Sequence, residues 1–203
     1  MATYMRASAV GSAAGGLLWT LHALLINRRP EGCIGDTCGF GVMPRPTEDL
    51  AWVFLVAVVL IALGTTTLSR HGGRGERSLA VAGGAALAIA GAVALAAGLV
   101  VNAVITGDSP LWWLHDSDSL GRVLPVAGSG LVGIGLLRSR LLAPWTGVAL
   151  ILAALASLGF NAQNERVLLT LPLGLAWIVV GYATFVRSKR EDADRSPNQR
   201  LGA

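Results

Sequence analysis

Charged residues are scarce in this chain. Only 14% of its 203 residues are Asp, Glu, Lys or Arg, 53% are hydrophobic, and the mean hydropathy is +0.61. That composition excludes a disordered chain and lies far from an ordinary soluble domain. Lysine is nearly absent. Lys189 is the single one among 16 basic residues, so no apolar run holds a lysine for a Schiff base. The preference for arginine, with abundant Ala and Gly, suggests a GC-rich bacterial genome. Two cysteines cannot build a disulfide-rich scaffold or a four-ligand zinc site. His22, His71 and His115 are the only histidines, and they do not offer the facing pair that a b-type haem uses. No Asp or Glu lies inside an apolar run away from its ends, which removes the residue that intramembrane proton coupling and carboxylate proteolysis use. Neither a phosphate loop nor a Rossmann turn is present, and no cofactor or metal is expected.

Long apolar runs take the place of these features. Residues 79–105 are 27 positions without a charge, where about 20 suffice to cross a bilayer as a helix. The chain therefore reads as an integral membrane protein, an all-α polytopic transmembrane helical bundle of six spans. The spans fall at residues 7–26, 50–68, 79–105, 122–137, 141–161 and 167–186, in a single domain over 1–186, with a disordered cytoplasmic tail at 187–203. The first run resembles a signal peptide, but no small-residue cleavage site precedes Asn27-Arg28-Arg29-Pro30. The fourth is the weakest, because the 15 residues between Arg122 and Arg138 span only about 22 Å. It needs Arg122 to snorkel or Pro125 to sit in the first turn. In the third span Ala82, Ala86, Ala90, Ala94, Gly98 and Asn102 form an i, i+4 stripe of small residues, expected to be its packing face.

Orientation follows from the basic residues. With both termini inside, 11 of the 16 fall on the cytoplasmic side and 5 outside. They sit in short loops and the tail, so the expected partners are the lipid bilayer and other membrane proteins or further copies of the chain, with no nucleic acid.

Residues 90–103 (AGAVALAAGLVVNA) and 149–162 (ALILAALASLGFNA) share 6 of 14 identities. Gly11, Gly15, Trp19, Ala23 and Asn27 repeat the same plan, so each outward run ends in Asn. Inward runs end in Leu68-Ser69-Arg70, Arg138-Ser139-Arg140 and Arg187-Ser188-Lys189, and two open with Leu-Pro at Leu124-Pro125 and Leu171-Pro172. This pattern predicts three repeated helical hairpins.

Cys33 and Cys38, in GCIGDTCGF, are expected on the outer side as a disulfide that closes a small ring. A redox-active thiol pair, or a metal held by the thiolates with His22 or His115, are the functional alternatives. His22 lies just inside the outer end of the first span, bonded to a backbone carbonyl or to nearby amides, or acting as a proton or ligand contact. If the hairpins share an axis, His22, Asn27, Asn102 and Asn161 form an outer polar cluster able to hold water or a small polar solute. Gly128-Ser129-Gly130 superficially resembles a nucleophile's setting, but no histidine follows His115, and a small-residue packing contact is expected.

In type the chain resembles small six-span bacterial membrane proteins. Without visible catalytic machinery, it reads first as an accessory, sensory or assembly subunit that packs with partner helices. The alternative is a small-solute permease or channel with a polar outer vestibule, and a membrane-embedded enzyme comes third.

Overall fold

The computed structural model describes residues 2–32, 48–71, 76–104 and 113–200. The fold is an all-helical bundle of six helices: α1 (Ala2–Asn27), α2 (Glu48–His71), α3 (Glu76–Val104), α4 (Trp113–Ser139), α5 (Pro144–Ser157) and α6 (Leu171–Arg200). Each helix packs on the next in the chain, and α6 closes back on α1, giving a ring of antiparallel neighbours. The closest packing is between α3 and α4, α1 and α6, and α1 and α2; α5 and α6 touch least. Both α1–α2 and α3–α4 pack as antiparallel hairpins, whereas α6 spends most of its interface on α1 and little on α5.

Glycines set these contacts. Gly16 and Gly174 join α1 to α6, Gly84 and Gly128 join α3 to α4, and Gly133 and Gly147 join α4 to α5. At each, a β-carbon would lie only 2.5–2.8 Å from the carbonyl oxygen of the partner glycine. Backbones this close gain dispersion contacts where burial of apolar surface from lipid supplies little. Gly91 receives the ring of Pro125 in the same way.

The packing face of α3 differs from the sequence expectation. Ala82, Ala86 and Ala90 are exposed, while Val81, Gly84, Ala85, Ala88, Gly91, Ala92 and Leu95 are buried. Gly84 and Gly91 permit an approach that alanine would not, so the seam follows them and not the alanine stripe. In α1 the stripe Gly11, Gly15, Trp19 and Ala23 is buried as expected.

The boundaries of three helices also moved. α4 starts at Trp113, so Pro125 lies inside a 27-residue helix and not in its first turn. α5 is only 14 residues long, about 21 Å. It opens on Pro144, where the missing N–H costs nothing, and stops at Ser157 before Gly159. Arg140, in the left-handed region at φ 52°, ends α4. α6 continues to Arg200 through the stretch expected to be disordered, carrying an Arg187–Glu191 pair at 3.0 Å and reaching Arg6 of α1 through Asp192 at 2.9 Å.

Four segments are long and apolar enough to cross a membrane: Tyr4–Asn27, Asp49–Ser69, Leu79–Val100 and Glu165–Ala193. All six helices turn large apolar side chains outward, among them Leu17, Val59, Val93, Leu131, Leu152 and Leu175, and many of the buried polar groups are small hydroxyls such as Ser8, Thr65, Ser129 and Thr184. These hydroxyls bond main-chain carbonyls: Ser8 donates to Gly64 at 2.6 Å, and Thr65 and Thr184 donate within their own helices. Such a bundle is compatible with a membrane location.

Candidate functional site

The site lies at the end of the ring where α1 and α5 finish and α2, α4 and α6 begin. Three features close that end. Arg29, just past α1, makes a two-pronged bond to Asp49 of α2 at 2.8 and 2.5 Å, which also holds the Arg29 guanidinium above its ordinary pKa. A 3-10 turn, Glu165–Thr170, precedes α6, and the Asn164 side chain accepts from Arg166 N at 2.9 Å to start it. The turn lays Val167 against Ala23 and Ile26 of α1, all three fully buried.

Beneath this apolar lid is a cavity of about 110 Å³, lined by Trp19 and His22 of α1, Phe54 of α2, Arg122, Val123 and Val126 of α4, and Ser157, Leu158, Phe160 and Thr170. Trp19 meets Phe54 edge-on at 4.7 Å between ring centroids, and the His22 ring lies 4.9 Å from Phe54. Arg122, half-buried, places its guanidinium carbon 5.8 Å from the Phe160 ring centroid. Ser157 and Thr170 donate to the carbonyls of Ala153 and Val167, at 2.8 and 2.9 Å. His22 is 6% exposed, and its ring stands beside Phe54 on the cavity wall.

Below the cavity the ring axis is filled. Trp177 of α6 donates through Nε1 to Ser129 Oγ at 3.0 Å, and Ser129 donates to the carbonyl of Pro125 at 2.8 Å. Leu136, Leu150 and Leu173 are fully buried in the same core. The pocket is blind.

Of the residues singled out from sequence, His22 lines this cavity. Asn27, half-buried at the end of α1, and Asn161, whose Oδ1 accepts from Gln163 N at 2.9 Å, are not among its lining residues. Asn102 belongs to α3, and its side chain lies outside the described residues, as do Cys33 and Cys38. No group of three or more metal-ligating side chains is present among the described residues. Sequence reading treated Arg122 as a snorkelling end residue and missed it as a wall of the cavity. The signal was there: a lone cation three residues before an intrahelical proline, in a chain otherwise sparing with charge.

No protein-family model matches the chain, and no curated protein and no solved structure matches it either. What the site can do rests on its own geometry. It offers aromatic walls, a donor-only guanidinium and an imidazole that can both donate and accept, while the lining hydroxyls of Ser157 and Thr170 are committed to main-chain carbonyls and no carboxylate is among the lining residues.

Proposed function

We propose that the chain is a non-catalytic integral membrane protein, sensory or accessory in role, that binds a small molecule in the pocket around His22. The observation that carries this reading is the blind floor: Trp177 and Ser129 are bonded to each other across the ring directly below the cavity. A pocket blind toward the bundle centre supports binding over passage, and lining hydroxyls already committed to main-chain carbonyls support binding over catalysis. The lipid bilayer is the surrounding partner, and the exposed apolar faces leave room for helices of other membrane proteins or of further copies. The closed ring around one axis favours a permease as the second reading, with the same pocket as its outward-facing site.

Reconstitution into liposomes separates the two. Flux of ions and small polar solutes is expected to equal that of protein-free vesicles. A saturable flux abolished by Val126→Phe, which fills the cavity, would establish the permease instead.

The charge count supports both termini in the cytoplasm, with the His22 end outside. On that side Cys33 and Cys38 are proposed to be bridged, and protein alkylated before reduction is expected to carry no label on either thiol. Closing so short a ring contributes about 2 kcal/mol.

A further inference from the structure

We infer that the pocket takes the oxygen-bearing head of a lipid-soluble molecule, a carbonyl or carboxylate on an apolar tail, which enters sideways between α4 and α5. This rests on the binding-pocket reading and names its ligand class. The direction of entry comes from which walls are open. Of the ten lining residues only Val123 and Leu158 are exposed, at 53% and 65%. They belong to α4 and to the segment just after α5, and Leu155, one turn from Leu158, is exposed as well. The opening is therefore framed by large apolar side chains of the kind that face acyl chains. Toward the helix ends the way is covered by Ala23, Ile26 and Val167, each with no exposed surface. Toward the middle of the bundle it is stopped by Trp177 and Ser129.

The chemistry of the head comes from the polar groups inside. The guanidinium of Arg122 can only donate, and its positive charge in an apolar surrounding favours oxygen acceptors over donors. His22 is a second polar side chain of the lining, and the N–H of its imidazole donates to an oxygen of the ligand. Trp19, Phe54 and Phe160 give flat apolar faces for whatever carries that oxygen. The volume, about 110 Å³, corresponds to on the order of four waters at about 30 Å³ each in the liquid. That admits a single ring or a carboxylate with its first methylenes, while the remaining tail lies past Val123 and Leu158 in the bilayer.

The test uses the full chain in phospholipid nanodiscs and two photoreactive probes. One is decanoate and the other a decyl-substituted 1,4-benzoquinone, each with a diazirine beside its head. Labelling of one or both at peptides containing His22 or Phe160 is expected. Decane, and the tailless heads acetate and 1,4-benzoquinone, should compete poorly. His22→Phe, which keeps a ring against Phe54 but removes the N–H, should reduce labelling about tenfold at limiting probe, and His22→Gln should retain most of it. The identity of the probe that labels separates a carboxylate from a carbonyl source. Competition by decane as effective as by the parent compounds would overturn the oxygen-bearing head. Competition by tailless heads as effective as by tailed ones would overturn the lipid-soluble ligand while leaving the binding pocket intact. Labelling scattered over the outer faces, with none in the pocket, overturns the inference even if His22→Phe fails to fold, because that measurement needs only the native chain.

Discussion

Ser129 sits where two helices, α4 and α6, share one hydroxyl. It accepts from Trp177 Nε1 across the ring and donates to Pro125 of its own helix. Its proton is committed to a main-chain carbonyl, which accounts for the serine without invoking nucleophilic chemistry. Ser129→Ala leaves a buried indole N–H without its partner and is expected to cost about 1–3 kcal/mol. Trp177→Phe removes the donor instead. If the bond forms, the double variant costs less than the sum of the single changes. Unfolding in detergent followed by helical circular dichroism measures all three, and strict additivity would show the two residues to be uncoupled.

Among the helices, α3 provides its own control for the idea that glycine sets the seams. Gly83 and Gly84 are adjacent, yet a β-carbon at Gly84 would lie 2.5 Å from the carbonyl oxygen of Gly128, whereas at Gly83 the nearest neighbour is a Leu131 methyl at 3.9 Å. Gly84→Ala is expected to destabilise the bundle by about 1–3 kcal/mol through overpacking. Gly83→Ala should be neutral or slightly stabilising, because alanine loses less backbone entropy in a helix by about 0.5–1 kcal/mol. Equal midpoints for the two variants in thermal unfolding would mean that α3 and α4 are not held this closely.

For the molecule as a whole, the ring places the ends of α1 and α5 on one side and the loop after α4 on the other. In a background with Cys33 and Cys38 replaced, Glu31→Cys is expected to react with a membrane-impermeant maleimide on intact cells. Arg138→Cys should react only after the membrane is opened. Both positions are exposed on the bundle, so the contrast reports sidedness and not burial, and the reverse pattern would invert the topology.

Hydropathy alone determined that the chain forms an all-helical apolar bundle, because its long runs carry enough apolar residues to be recognised whatever their neighbours do. The expected fifth span opened at 141 with Pro144 near its start, and the helix begins on that proline, while the i, i+4 spacing of Gly11 and Gly15 marked the buried seam of α1. Other boundaries were hidden: α4 gained its first turns from Trp113-Leu114-His115-Asp116, whose polarity reads as a loop. The packing face of α3 could not be read from its sequence either. In a helix apolar all round, the face toward lipid and the face toward protein have the same polarity, so only the fit of Gly84 and Gly91 to α4 decided which turned inward. The pocket was settled last and entirely by tertiary structure. His22, Phe54, Arg122, Phe160 and Thr170 come from separate elements, up to 148 positions apart in the chain, and no spacing within one helix announces that they share a wall. What brings them together is closure of α6 onto α1, which seats the 3-10 turn over the ring's end and leaves a void beside His22.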